Sequence, residues 1–438
     1  MTTPKRMDSQ VTGIGLLGLG VVGSAVANTI TDRHRLEDPS VPLEVVAAVV
    51  RDPSRKREVS LDQSAISTDI ETVIANPEVG IVVELMGGVD PAFDYITSAL
   101  KAGQHVVTAN KEVMAKRGID LLATAAENSV QLLYEASVAG GIPIIGPLMN
   151  DLAANKIRSL RGIINGTTNF ILTKMAHEGA DFNDVLTEAQ SLGYAESDPT
   201  ADVDGFDAQY KIAVLARLAY HTEVPVDEIH REGIQEVHAK DFRYAKELGY
   251  TIKLLAVAQA DSESGLLARV HPALIPFEVP MATVNGVLNA VEVEGDLVGP
   301  LWFQGPGAGP NPTASAVMGD VIRVTKSGSG EETTPDVPDP FLIASMDDHV
   351  CQYYLRLTAS DRPGVLASVA KVLGDADISI NSVLQKDTDT ENGRADLVIM
   401  THPAREANMQ SAVSSIKELD TVLQLDSLLR VETYSDRS

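Results

Sequence analysis

The segment IGLLGLGVVGSAVANTI constrains the fold most, because a strand, a glycine loop and a helix follow one another directly in it. Gly18, Gly20 and Gly23 stand in G-x-G-x-x-G spacing between an expected strand at Ile14–Leu17 and an expected helix at about Val21–Thr31. The first glycine permits the tight turn, the second lets backbone approach a pyrophosphate, and the third lets helix pack on strand. Around them, the backbone of Leu19, Val21 and Val22 offers N–H groups and the positive end of a helix dipole to phosphates. A glycine-rich turn without a ligand is the competing reading of the spacing alone.

The rest of residues 11–150 repeats that alternation. Strands are expected at Leu43–Val50, Ile81–Leu85, His105–Thr108 and Gln131–Glu135, and helices at Pro91–Ala102 and Glu112–Asn128. Strand–helix alternation implies a parallel sheet of Rossmann type, and continuous Val/Ile runs fit strands covered on both faces. The chain is therefore α/β in class. Residues 151–325 read as a second, α+β domain. Its helices run from Phe170 to Leu248, with starts at Asp181 and Gly205, and strands follow at Thr251–Ala258, Ala268–Val270, Val287–Glu294 and Leu301–Phe303. A last helix fits Thr313–Val324. The stretch KSGSGEETTPDVPDP lies in a linker over 326–349. Residues 350–434 read strand, helix, strand, strand, helix, strand, the βαββαβ order of a ferredoxin-like domain.

Charge and composition remove several function classes. With 35 Lys and Arg against 61 Asp and Glu, the net charge of −26 repels polyanions, so neither nucleic acid nor an anionic membrane is expected as a partner. The N-terminus is polar and no apolar run reaches ~18 residues, so a soluble cytoplasmic protein is expected. Cys351 is the single cysteine and has no internal partner for a disulfide. The nine histidines show no zinc-type spacing with it.

Two further features carry chemistry. The second expected strand ends at Val50, and Arg51 follows where a ribose-binding acid usually stands. An arginine there meets a 2′-phosphate, and Arg55, Lys56 and Arg57 add charge behind it, so NADP(H) is favoured; Asp52 keeps NAD(H) open. Asp207 and Lys211 lie four apart on an expected helix and share a face. An exposed ion pair is the commoner use of that spacing. A lysine near buried surface can instead hold a transferable proton.

Longer motifs point further. They are T-A-N-K at Thr108–Lys111, YEASVAGGIPI at Tyr134–Ile144, GIINGTTNFIL at Gly162–Leu172, LGYAESDPTADVDGFDAQYK at Leu192–Lys211 and GPGAGPNPTASAVMGD at Gly305–Asp320. With these in this order the chain resembles the homoserine dehydrogenases over nearly its whole length, and its tail is similar to an ACT regulatory domain. The resemblance implies reversible NAD(P)H-dependent reduction of L-aspartate 4-semialdehyde to L-homoserine, on the route to threonine, methionine and isoleucine.

The resemblance also implies roles. Lys211 would donate the proton, Asp207 would position substrate and lysine, and Lys111 would be a second active-site lysine. Glu196 would meet the substrate ammonium and Asp202 would help arrange the pocket. Thr108, Lys111, Gly193, Glu196 and Gly307 would join Arg51 and the glycine loop around the cofactor. Glu135, Val138, Gly140 and Ile142 match positions that hold a monovalent cation, Na+ or K+, through oxygen donors. The tail implies an amino-acid effector, threonine, received by the loop Asp361–Gly364 and the strand Ile378–Asn381. The second domain implies a homodimer or homotetramer. Another amino-acid dehydrogenase, such as aspartate dehydrogenase, and a cofactor-binding sensor without catalysis are the alternatives. The first works on an imine–amine pair rather than an aldehyde–alcohol pair; the second would not need Lys211.

Overall fold

Short Val- and Ile-rich runs separated by helix starts lay down a parallel sheet in the first part of the chain. β1 (Thr12–Leu17), β2 (Leu43–Val49), β3 (Ile66–Ser67), β4 (Val79–Glu84), β5 (His105–Thr108) and β6 (Leu132–Leu133) lie in the order β3-β2-β1-β4-β5-β6. All five pairings are parallel. The helices α1 (Val21–Thr31), α2 (Glu71–Ile74), α3 (Ala92–Lys101) and α4 (Lys111–Glu127) alternate with these strands. Strand order reverses beside β1, which places a ligand crevice at the carboxyl ends of β1 and β4. This is the expected Rossmann-type sheet.

The computed structural model of the chain describes residues 11–32, 42–261, 265–327, 342–389 and 393–434. They form two compact units. The first holds Met1–Ile157, Tyr210–Val226 and Ala290–Pro340; the second holds Arg158–Gln209, Asp227–Asn289 and Phe341–Ser438.

After the parallel sheet come β7 (Ile157–Ile163), α5 (Gly166–Glu178), α6 (Phe182–Ser191), α7 (Thr200–Val203) and α8 (Phe206–Tyr220). Then follow β8 (His230–Arg231), α9 (Ala239–Glu247) and the long strands β9 (Tyr250–Asp261) and β10 (Gly265–Pro276). β11 (Leu288–Gly295) and β12 (Gly299–Pro306) pair with each other and lead into α10 (Pro310–Ser327). Ala314, Val317, Met318, Val321 and Val324 of α10 bury themselves against Ile14, Leu16 and Val26 in the core of the first unit. That helix runs past the expected Val324 to Ser327, so the proposed linker begins as helix; residues 328–341 of it lie outside the described residues.

The tail has β13 (Val350–Ser360), α11 (Val365–Asp375), β14 (Ile380–Asp389), β15 (Arg394–Thr401), the short β16 (Ala404–Arg405), α12 (Glu406–Lys417) and β17 (Val422–Val431). Its strands lie in the order β17-β13-β15-β14, the ferredoxin-like arrangement expected. Tyr353, Leu355, Val369, Leu373, Ile399, Met409 and Ile416 make its core between sheet and helices.

The tail does not stand alone. β17 pairs in parallel with β10, Ala273 opposite Arg430 and Leu274 opposite Val431. One sheet of the second unit therefore runs β7-β9-β10-β17-β13-β15-β14. Buried charge crosses the same junction. Glu432 bridges Arg161 and Arg269, each at 2.9 Å. Arg430 bridges Glu232 at 2.8 Å and Glu406 at 2.6 Å. Asp241, at the start of α9, accepts from Arg356 Nε at 2.6 Å, Tyr354 at 2.9 Å and Ser427 at 2.8 Å.

β7 has no counterpart among the expected strands. Its sequence IRSLRGI carries two arginines that interrupt the apolar pattern, and Arg161 is buried because Glu432 pairs with it. The expected strand Gln131–Glu135 shrinks to Leu132–Leu133, because Glu135 already begins a 3-10 turn.

Candidate active site

Each glycine of the first loop has a distinct environment. Gly18 has φ +100°, and a Cβ there would stand 2.9 Å from the Leu85 carbonyl oxygen. A Cβ on Gly23 would stand 2.2 Å from the Gly18 carbonyl oxygen, so α1 lies directly on the loop. A Cβ on Gly20 would have nothing within 4 Å. Gly20 also begins α1 without a side-chain cap, and the first turn carries no acid. The amides of Val21, Val22 and Gly23 thus have no partner within the helix, beside open space. A pyrophosphate fits that cradle by charge and by room.

Leu19, Gly20, Val21, Ser24 and Asn28 line a groove of about 1110 Å³, and Arg55, Lys56 and Arg57 line it with them. Arg57, grouped by the sequence with Arg55 and Lys56 as charge behind Arg51, bonds backbone carbonyls. Its guanidinium donates to the carbonyls of Leu19 at 3.1 Å, Arg55 at 2.7 Å and Asp52 at 2.7 Å. It ties the loop after β2 to the glycine loop. Arg51 is exposed just past β2 and is not among the residues lining this groove. Asp52 is held below the usual carboxylate range by the hydroxyl and amide of Ser54.

At the carboxyl ends of β4 and β5 lies a buried relay. Glu84 accepts from Thr108 Oγ1 at 2.6 Å and from the Met86 amide at 2.7 Å. Thr108 Oγ1 accepts in turn from the Asn110 amide at 3.0 Å. Asn110 caps α4, accepting from the Val113 amide, and donates to the Gly88 carbonyl at 2.7 Å. Lys111, half-buried, is the first residue of that helix. Burial raises the Glu84 carboxyl above its ordinary value, against these hydrogen bonds.

The expected cation-site residues sit in one turn. Both oxygens of the Glu135 carboxylate are engaged, by the amides of Ile144 at 2.7 Å, Ile145 at 2.8 Å and Gly146 at 2.7 Å. The Glu135 carbonyl is a further oxygen on this turn. Ala139 and Gly140 are both left-handed, with φ of +55° and +52°. This reverses the chain between Val138 and Ile142. Gly307 abuts the same turn: a Cβ on Gly140 would stand 2.4 Å from its carbonyl oxygen.

In the second unit, Asn165 gathers the acids. It follows β7 and caps α5, accepting from the Thr168 amide at 2.8 Å. Its Nδ2 donates to Asp202 at 2.6 Å and to Asp207 at 2.9 Å. Two of the expected acids thus meet on an asparagine that the sequence shows only as part of a longer motif; an Asn directly before a helix is the signal that marks it. Asp207 is buried, Asp202 half-buried and Glu196 exposed. Lys211 follows Asp207 by one turn of α8 and is half-buried. Gly193 has φ +75° and closes α6: its amide donates to the Gln190 carbonyl, and the Tyr194 amide to that of Ala189. That pair of bonds is a Schellman cap and explains the glycine by itself.

The tail has a groove of about 670 Å³ formed by Ser360–Ala367, Ala370, Gln385, Ala395 and Leu397. The loop Asp361–Gly364 lines it. Ile378–Asn381 does not; Gln385, farther along β14, takes that place and donates to Asp361 at 3.3 Å.

Comparison with known proteins fits this geometry. Residues 18–135 match the family described as homoserine dehydrogenase, NAD binding domain, residues 143–322 match homoserine dehydrogenase, and residues 353–421 match the ACT domain. A homoserine dehydrogenase of Synechocystis is 43% identical over 431 residues, covering 95% of this chain and 99% of that protein. The crystal structure of a homoserine dehydrogenase from Thiobacillus denitrificans is similar with a TM-score of 0.89 and 41% identity, covering 97% of this chain and 98% of that one. A hyperthermophilic archaeal homoserine dehydrogenase in complex with NADPH has a TM-score of 0.62 at 29% identity, covering 75% of this chain and all (100%) of that one.

Proposed function

The chain belongs to the homoserine dehydrogenase family, and from that premise we propose that it acts as an NADP(H)-preferring, threonine-regulated enzyme of threonine, methionine and isoleucine synthesis. It is an NAD(P)-dependent oxidoreductase acting on a CH–OH group. The reaction is read as reversible reduction of L-aspartate 4-semialdehyde to L-homoserine. The proposed division of labour is cofactor over 1–150, substrate and dimerisation over 151–325, linker over 326–349 and regulation over 350–434.

NADPH, when bound, supplies the hydride. The Gly18–Gly23 loop and the start of α1 hold its pyrophosphate, and Arg51 meets the 2′-phosphate. Lys211 holds the proton that the substrate oxygen takes up as the aldehyde becomes an alcohol. Asp207 orients substrate and Lys211, Glu196 takes the substrate ammonium, and Lys111 meets the carboxylate or carbonyl oxygen. Thr108, Gly193 and Gly307 shape the cofactor's surroundings. The observation that carries the substrate reading is the meeting of Asp202 and Asp207 on Asn165, which gathers two of the acids assigned to the substrate pocket. In the cation turn, Glu135 would hold Na+ or K+ with a carboxylate or carbonyl oxygen, and Val138, Gly140 and Ile142 with their carbonyls.

The remaining proposals are a homodimer or homotetramer in the cytoplasm, with no nucleic-acid or membrane partner. Among the described residues no helix is long and apolar enough to cross a membrane. The test is the loss of NADPH absorbance with L-aspartate 4-semialdehyde, with and without threonine, repeated with NADH. Faster turnover with NADPH and its suppression by threonine are expected. Equal rates with both cofactors remove the NADP(H) preference, and full activity in threonine removes the effector. A chain that instead reduces an imine to an amine would be the rival dehydrogenase.

A further inference from the structure

Glu84 is an ionisable side chain with no part in the roles assigned above, yet it sits where the ligand crevice opens. It is the last residue of β4, opposite Thr108, the last residue of β5, and both are fully buried. Its carboxylate accepts from the Met86 amide with one oxygen and from the Thr108 hydroxyl with the other. The backbone carbonyl of Glu84 also receives the Ala109 amide at 3.2 Å. Two consecutive residues after β5 are thus tied, directly or through one hydroxyl, to this glutamate.

The direction of these bonds matters. A threonine hydroxyl has one hydrogen. Because Glu84 takes it, the lone pairs of Thr108 Oγ1 face the Asn110 amide, 3.0 Å away. That bond fixes the backbone at Asn110, whose side chain caps α4 and whose amide group reaches the Gly88 carbonyl. The next residue is Lys111, at the first position of α4. Met86 and Thr108 both donate to Glu84, and the carboxylate accepts one of them with each oxygen.

We propose that Glu84 is a positioning residue for Lys111, setting the place and direction of the lysine's backbone through the Thr108 hydroxyl and the Asn110 cap. This rests on the reading of Lys111 as an active-site lysine. Glu84 touches no substrate in this scheme. It works by making one hydrogen-bonding pattern obligatory at the carboxyl ends of two adjacent strands.

Glu84→Gln is the discriminating change because it keeps shape and loses acceptor character. If the glutamine oxygen faces Thr108, its NH₂ opposes the Met86 amide, donor against donor. If the oxygen faces Met86, the Thr108 hydroxyl must accept from two donors and its hydrogen is left without a place. The first orientation leaves the Met86 amide without an acceptor and the second leaves the Thr108 hydrogen without one, so neither keeps the relay as the carboxylate sets it. Thr108→Val removes the hydroxyl and breaks the same relay from the other end.

The experiment is a double-mutant cycle on kcat/KM with NADPH and L-aspartate 4-semialdehyde, using E84Q, K111A and the pair. Thermal midpoints are recorded for each. E84Q is expected to lower kcat/KM by about ten-fold or more in the wild-type background and by less than about two-fold in the K111A background. If E84Q does not fold, E84D, which stays an acceptor but is too short to reach both donors, enters the same cycle with the same expectation. Equal losses in both backgrounds overturn the proposal, since Glu84 then acts on the fold and not through Lys111. Undiminished activity of K111A also overturns it, and takes the Lys111 reading with it.

Discussion

Glu432 accepts from Arg161 Nε at 2.9 Å, with both side chains buried, and so fastens the end of the tail to the strand that leads into Asn165. Arg269 holds the other carboxylate oxygen at 2.9 Å. Burial by itself would raise the Glu432 carboxyl; the charges of Arg269 and Arg161 outweigh it and bring the value from 4.5 down to about 2. Removing the charge with Glu432→Gln leaves two buried guanidinium groups short of a counter-charge. A loss of about 3–5 kcal/mol is expected at neutral pH. A carboxylate depressed in the folded state stabilises above its unfolded value, and the gain is lost as pH falls through the folded one. The stability gap between wild type and Glu432→Gln, measured by urea unfolding, should therefore close as pH falls from about 4.5 toward about 2. A gap that stays constant over that window would show that the ion pair is not its source.

Asn165 separates a structural task from an electrostatic one. Its Oδ1 caps α5, and its Nδ2 holds Asp202 and Asp207 together. Asp is as good a helix cap as Asn, whereas Ala costs about 0.5–2 kcal/mol. Asn165→Ala should therefore lower the thermal midpoint through the lost cap, whereas Asn165→Asp keeps the cap. It also sets a third carboxylate against two others, which like-charge repulsion penalises. Its kcat/KM should fall by more than that of Asn165→Ala, and steady-state kinetics on both variants will show the order.

The two loop glycines should fail differently. An alanine at Gly20 meets nothing within 4 Å, so the thermal midpoint should hold while the dissociation constant for NADPH rises about ten-fold or more. An alanine at Gly23 drives a methyl group to 2.2 Å from the Gly18 carbonyl oxygen. That variant should lose stability as well as cofactor. Fluorescence titration with NADPH beside thermal unfolding separates them.

What the sequence makes legible follows from how local each signal is. The parallel sheet reads directly, since β1, β5 and α1 are set by apolar runs and glycines within a few residues of one another. The tail is equally plain, because its apolar faces repeat at strand and helix periods. β7 is hidden because Arg161 reads as a surface residue until Glu432, 271 residues later, is placed beside it. The same holds for the relay at Glu84, whose partner lies 24 residues on, and for Asn165, whose acids are 37 and 42 residues away. Arg57 stands in a basic cluster where composition suggests a phosphate contact, while its guanidinium in fact bonds three backbone carbonyls. Long-range hydrogen bonds of this kind leave no trace in spacing.

Arg51 is the remaining basis for cofactor choice. It is exposed just beyond β2, where a ribose substituent is met in this fold. Arg51→Glu should raise the Michaelis constant for NADPH far more than that for NADH. Arg57→Ala should instead weaken both, because it loosens the glycine loop that any dinucleotide uses. Equal effects of Arg51→Glu on the two cofactors would remove the preference.

Regulation is best tested without removing the tail. Deleting it would strip β17 from β10 and leave Arg161 and Arg269 buried without Glu432, so lost activity would report damage rather than desensitisation. A side chain placed in the tail groove is cleaner. Ala367 is exposed on α11 and lines that space beside Gly364 and Gln385. Ala367→Phe occupies the groove while leaving the charged junction intact. Turnover without effector should match wild type, and the threonine concentration for half-inhibition should rise about ten-fold or more. Unchanged inhibition in this variant would move the effector away from the groove. Inhibition absent from the wild type as well would leave the tail the task of assembly, which sedimentation of the full chain can read.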